Sequence, residues 1–199
     1  MACSKDTVPV TGLECLQQLS AVHIKQKVTG FTGNKYTVTT AEGALLFSMR
    51  EDSSTFSVLL NGTRRSFHID GVDVNQRTVF SLRRPYEFLS DKVEVSMGRQ
   101  LVSVVRKEHT LLSPVYSIND AGDRPVLRVK GKLSVRDFKL QTLDKQTIGS
   151  IKKLFQGFAK ELFTNADAYE VSFPNNLDPR YKVSVIAACI LIDYGFHER

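Results

Sequence analysis

Asp178-Pro179-Arg180-Tyr181-Lys182, followed by the apolar run from Val183 to Ile192 and then by Asp193-Tyr194-Gly195-Phe196, decides how the rest of this chain must fold. Asp178 offers an N-cap carboxylate, Pro179 suits the first helical position, and Gly195 suits a C-terminal stop. Together they predict one helix from Pro179 to Tyr194, about 16 residues and roughly 24 Å long. Its apolar run is interrupted by Ser184 and bounded by Lys182 and Asp193, whereas a spanning helix needs about 20 apolar residues. The segment therefore reads as a buried core helix. Val183, Val185, Ile186, Cys189, Ile190, Leu191 and Ile192 point all around its axis, so its partner must enclose it.

The chain upstream supplies that partner. From about residue 20 to 150, short runs alternate apolar and polar residues, the period of half-buried strands. Val22, Ile24 and Val28 share one phase, as do Tyr36 and Val38, Leu45, Phe47 and Met49, and Phe56, Val58 and Leu60. Further strands are predicted at Phe67 and Ile69, Phe80 and Leu82, Val93 and Val95, 101–105, 115–118, 126–129, Phe138 and Leu140, and 169–173. Asn61-Gly62 is the plainest hairpin signal, with other turns at 41–43, 97–99 and 119–123. Gln156 to Phe163 reads as a short helix. An antiparallel meander of about ten to twelve strands should close on itself, and an all-round apolar helix needs something to surround it. One architecture meets both demands: a mainly β, closed antiparallel barrel threaded by the C-terminal helix. A β-sandwich with the helix packed across one end is the alternative.

Composition excludes several classes. With 199 residues and 42% hydrophobic content, the chain is long enough for one substantial core and ordinary for a soluble globular protein. A net charge of +6 favours acidic partners such as anionic headgroups or nucleic acid. Cys3, Cys15 and Cys189 are too few and too scattered for a disulfide framework, which fits a reducing compartment. The N-terminus carries neither an apolar signal region nor a myristoylation glycine. His23, His68, His109 and His197 are isolated, no glycine-rich phosphate loop is present, and no nucleophile with its base stands out, so nothing asks for an enzyme of covalent chemistry.

Several motifs carry a resemblance. They are 12–16, 29–36, Arg84-Pro85, 163–174 (Phe-Thr-Asn-Ala-Asp-Ala-Tyr-Glu-Val-Ser-Phe-Pro), Leu177-Asp178, and 187–194 (Ala-Ala-Cys-Ile-Leu-Ile-Asp-Tyr). In these the chain resembles the phospholipid scramblases over nearly its whole length, so residues 1–199 are expected to form one domain. The resemblance implies the tubby-like fold, a twelve-stranded barrel around a hydrophobic C-terminal helix. It also implies calcium-dependent, ATP-independent, bidirectional movement of phospholipids between leaflets, at the cytoplasmic face of the plasma membrane. Family members carry a proline-rich N-terminal arm, whereas here only Pro9 precedes Gly12. They also carry a palmitoylated cysteine cluster after the Arg-Pro pair, whereas here 86–92 contains no cysteine.

The family's calcium loop maps onto Asn165, Asp167, Tyr169, Val171, Phe173 and Asn176, of which Asp167 alone is acidic. Calcium wants six to eight oxygens, about that many with several carboxylates among them, so this is a poor set even with Glu170 added. The other reading is a turn leading into the last strand. Arg64-Arg65, Arg83-Arg84 and Lys152-Lys153 are candidates for facing an anionic leaflet, at about 1 kcal/mol each when gathered on one face. A solvated surface shared with 21 acidic residues is the plain alternative. Lys152-Lys153 also lie where some family members carry a nuclear import signal, which admits cytoplasm or nucleus as locations. No stacking aromatics are interleaved with the basic pairs, which argues against nucleic acid. The expected partners are a phospholipid membrane and, through its surface, other proteins.

Overall fold

The computed structural model describes residues 12–28, 34–52, 66–86, 91–131, 137–154 and 167–197. A short helix α1 (Glu14–Gln17) precedes strands β1 (Ala21–Val28), β2 (Asn34–Thr39), β3 (Leu45–Glu51), β4 (Phe67–Val72), β5 (Thr78–Arg84) and β6 (Lys92–Met97). Then come β7 (Gln100–Glu108), β8 (Val115–Asp120), β9 (Pro125–Gly131), β10 (Asp137–Gln141), β11 (Thr147–Leu154), β12 (Ala168–Ser172) and the long helix α2 (Pro179–His197). Each strand pairs antiparallel with its neighbour in sequence, and β1 with β12 closes the barrel, with Val22 opposite Val171 and Ile24 opposite Tyr169. Closure leaves no unpaired edge.

Alternation sets the lumen. Val22, Ile24, Tyr36, Val38, Phe47, Met49, Ile69, Phe80, Leu82, Val93, Val95, Val105, Ile118, Val129, Leu140, Ile151 and Val171 are all buried. Helix α2 lies inside, against β6, β7, β8, β12 and α1, and every residue from 182 to 194 is buried. The requirement that the partner enclose this helix is met by the barrel. Each fully buried valine or isoleucine contributes about 1.5–3 kcal/mol of transfer free energy.

Three local readings change. The helix does not stop before Gly195 but runs on to His197. Leu45 is 44% exposed, because a register shift beyond Val38 turns Leu46 inward in its place. β11 is a strand that the sequence reading does not include, its pattern being blurred by Gly149 and Ser150. The strand read at Phe56, Val58 and Leu60, the Asn61-Gly62 hairpin and the helix at 156–163 lie outside the described residues.

Two glycines make the wall close. Gly71 pairs with Phe80 across β4 and β5, and the Phe80 ring covers it so closely that a Cβ there would stand 2.3 Å from the ring. At Gly149 a Cβ would meet the Ser172 carbonyl oxygen at 2.1 Å. That neighbour is backbone and cannot rotate away. Gly149→Ala should therefore lower unfolding free energy by about 1–3 kcal/mol in chemical denaturation; unchanged stability would mean that β11 and β12 separate freely here.

Candidate functional site: the ends of the enclosed helix and the loop end of the barrel

The sequence places one lysine and one aspartate at the ends of the apolar run, and the fold buries both. Asp178 caps α2: its Oδ1 accepts the Arg180 amide at 2.9 Å, with the Tyr181 amide on its carbonyl at 2.9 Å. One turn on, Lys182 is fully buried. Its Nζ donates to the carbonyls of Leu16 at 2.8 Å, Gln17 at 3.1 Å, Leu19 at 2.9 Å and Asn175 at 2.8 Å. The ammonium also sits 5.1 Å from the centre of the Phe173 ring. Three protons serve four oxygens, so at least one bond is shared. Burial pulls this ammonium below its usual pKa, while the carbonyls favour its charged form. Ser184, the one polar break in the run, donates back to the Arg180 carbonyl at 2.9 Å and accepts from Ser103 of β7 at 2.5 Å.

At the other end Asp193 is held by two tyrosines. Tyr169 donates to Oδ1 at 2.7 Å and Tyr36 to Oδ2 at 3.2 Å; Gln26 donates to the Tyr36 hydroxyl at 3.3 Å. Next to it Tyr194 donates to Glu51 Oε2 at 2.5 Å, and Asn34 donates its amide to the same oxygen at 2.9 Å and its side chain to the Tyr194 hydroxyl at 3.0 Å. Burial, then Asp193, push the Tyr36 and Tyr169 hydroxyls and the Cys189 thiol well above their ordinary pKa values. Sequence reading passed over this network. Its signal was polar residues continuing the inward phase: Gln26 after Val22 and Ile24, Glu51 after Phe47 and Met49, Arg84 after Phe80 and Leu82.

The candidate site residues are dispersed. Val183, Val185, Ile186, Cys189, Ile190 and Ile192 are buried in the barrel. Arg84 is buried as well, with Nε donating to Asp91 Oδ1 at 2.9 Å and its guanidinium 5.9 Å from the Tyr194 ring centre. Arg83 is exposed, 3.6 Å from Glu94. Lys152 is exposed, while Lys153 pairs with Asp167 at 2.9 Å and lies 5.7 Å from the Tyr169 ring centre. Arg64, Arg65 and Asn165 lie outside the described residues.

The calcium positions do not converge. Asp167 and Asn176 flank β12, whose five extended residues span roughly 17 Å, and Tyr169 and Val171 are register partners of both β1 and β11. Oxygens bound to one calcium must all lie about 2.3–2.6 Å from it. Asp167, Tyr169, Val171, Phe173 and Asn176 therefore do not fit a single calcium ion in this fold. Among the described residues no group of three His, Cys, Asp or Glu side chains is placed to hold a metal.

The barrel's two ends differ. One carries the short turns after β2, β4, β6, β8 and β10, together with the Lys182 cage. There Arg124 pairs with Asp120 and Arg180 with Asp178, and Glu42, Asp73 and Asp144 share these turns with exposed Arg77, Arg99 and Lys145. The other end carries the last residues of β1, β3, β5, β7, β9 and β11, the loop 109–114 and the Asp193 network. Exposed Lys27, Lys35, Arg50, Arg83, Lys130 and Lys152 all lie within two residues of it, outnumbering exposed Asp52 and Asp137 at the same end. Lys27 stands opposite Lys35, Lys35 opposite Arg50, and Lys130 opposite Lys139; like charges so placed repel. Among the described residues no helix is long and apolar enough to cross a membrane.

A closed twelve-stranded antiparallel barrel plugged by a buried C-terminal helix defines a tubby-like architecture. It is shared with a solved protein of Arabidopsis thaliana at TM-score 0.52 and 15% identity, covering 87% of this chain and 92% of that one. The family model described as Scramblase matches residues 2–199, and the chain belongs to the scramblase family. It is 31% identical to phospholipid scramblase 1 of Rattus norvegicus, over 94% of this chain and 63% of the relative. Phospholipid scramblase 1 of Homo sapiens is 30% identical over 94% and 66%, and human phospholipid scramblase family member 5 is 29% identical over 94% and 77%. The chain thus spans somewhat less than two thirds of the length of the scramblase 1 relatives.

Proposed function

We propose that this protein acts on phospholipid bilayers, docked peripherally at the cytoplasmic face of the plasma membrane, and moves phospholipids between leaflets without ATP and without covalent chemistry. The observation that carries this reading is the family match over residues 2–199. The basic loop end supports docking on an anionic leaflet. Calcium control, which the resemblance implies, is outside the proposal, because the described ligand positions do not fit the ion.

A second reading is favoured by the latches on α2: a lipid- or protein-binding module without transport. A headgroup crossing about 30 Å of hydrocarbon needs a polar path, and a plug tied by Lys182 at one end and Asp193 at the other does not offer one while it stays in place.

Reconstitution separates them. The purified protein is placed in vesicles carrying a fluorescent headgroup lipid in both leaflets, and an impermeant reductant is added with calcium or with chelator. Movement exposes the inner-leaflet probe, to the same extent in both conditions. Protection equal to that of protein-free vesicles rules out autonomous transport and leaves the module; movement seen only with calcium would place a calcium site elsewhere than on the described positions.

A further inference from the structure

We propose that the β7–β8 hairpin tip, Leu111-Leu112, is the element that enters the bilayer when the barrel docks, with an anionic phospholipid surface as its occupant; this rests on the peripheral reading above. Leu111 is 102% and Leu112 79% exposed. Two adjacent leucines held largely in water are unusual for a surface without a partner. Tyr86, beyond the end of β5, is 56% exposed at the same end of the barrel.

The tip is built. Thr110 Oγ1 donates to the Ser113 carbonyl at 2.5 Å, closing the loop. Directly behind it the Gly131 amide donates to the Pro114 carbonyl at 2.8 Å, fastening the hairpin to β9. The leucines are therefore presented outward on a fixed stem, at little further entropic cost on insertion.

Charge identifies the occupant. Val115, the first residue of β8 after the tip, lies opposite Lys130, and Lys130 lies opposite Lys139. Lys130 and Lys139 are exposed on this side, Lys152 is exposed between its register partners Asp137 and Glu170, and Arg128 is occupied by Glu108 at 3.2 Å. Apolar side chains at the crest with lysines set back from it match a headgroup layer over hydrocarbon. An apolar protein groove would gain nothing from the adjacent like-charged pair. At the opposite end the exposed apolar side chains, Leu45, Val74 and Leu143, come from three separate turns and form no single crest.

The chain has no tryptophan, so Leu111→Trp gives a single reporter. It is titrated with vesicles of phosphatidylcholine alone, with added phosphatidylserine, and with brominated-chain lipid, while co-sedimentation follows binding. The expected result is a blue shift and bromine quenching with anionic vesicles, both weakened by salt. Leu111→Ser/Leu112→Ser should bind at least about tenfold more weakly, with the circular dichroism and melting temperature of the parent. If the parent sediments with anionic vesicles but the reporter stays in water and the double variant binds equally, the tip assignment is overturned while peripheral docking stands. If the parent sediments with no vesicle, docking fails and the tip with it. If the double substitution instead dissolves a dimer formed without lipid, the tip is a contact between copies and the proposal falls.

Discussion

Replacing Lys182 with methionine should cost about 3–5 kcal/mol of stability, comparable to breaking a buried ionic interaction. Methionine keeps the apolar stem but removes every donor from a site where four carbonyl oxygens converge. A buried carbonyl without a donor costs about 1–3 kcal/mol, and relaxation of the short α1 segment recovers only part of it. Three of those carbonyls belong to Leu16, Gln17 and Leu19, so the lysine also fastens the segment before β1 to the plug. Urea denaturation should show a lower midpoint at unchanged slope. Hydrogen exchange should show earlier opening of 13–19 than in Lys152→Met, whose lysine is exposed. A midpoint shift no larger than that of Lys152→Met would mean that the cage contributes nothing to stability.

Alkaline pH should unfold the barrel steeply. Tyr36, Tyr169 and Cys189 all have folded-state pKa values raised by burial first and by Asp193 next. In the unfolded chain the thiol gives up its proton near about pH 9 and the tyrosines near about pH 10, while the folded chain keeps all three. The unfolded state then binds fewer protons, so stability is fully present below about pH 9 and falls as pH rises beyond it. Once all three are ionised in the unfolded chain, above about pH 11, three protons give a slope of about 4 kcal/mol per pH unit. Lys182 acts in the opposite sense, its pKa being lowered by burial, and removes at most one of the three. A slope of about 3–4 kcal/mol per pH unit is expected. The tyrosinate absorbance of Tyr36 and Tyr169 should emerge together with loss of the β-sheet signal. Tyrosinate growth complete while that signal is intact would show the two hydroxyls to be open to solvent.

Both predictions turn on side chains that the sequence presents ambiguously. Lys182 and Asp193 look like charges marking the limits of an apolar run. In the fold each is buried, because the barrel's end loops and strand ends bring carbonyls to one and tyrosine hydroxyls to the other. Arg84 looks like half of a basic surface pair, but its place in the phase of Phe80 and Leu82 carries it indoors. Lys153 and Asp167 read as a lipid contact and a calcium ligand; across β11 and β12 they find each other at 2.9 Å.

What the sequence determined by itself is what local periodicity encodes. A helix apolar on every side demands enclosure, strands alternating with a period of two have one inward face, and a meander of that length has to close. Those three statements set the plugged barrel, and the motifs at 163–174 and 187–194 pointed to the family. The tertiary structure alone decided which polar side chains meet. That depends on register between strands distant in sequence, on one-residue shifts such as the one that exchanges Leu45 for Leu46, and on which barrel end each loop reaches. A one-residue change in pairing moves a side chain to the other face, so the Lys182 cage, the Asp193 network and the Leu111-Leu112 crest became visible only once the barrel was closed.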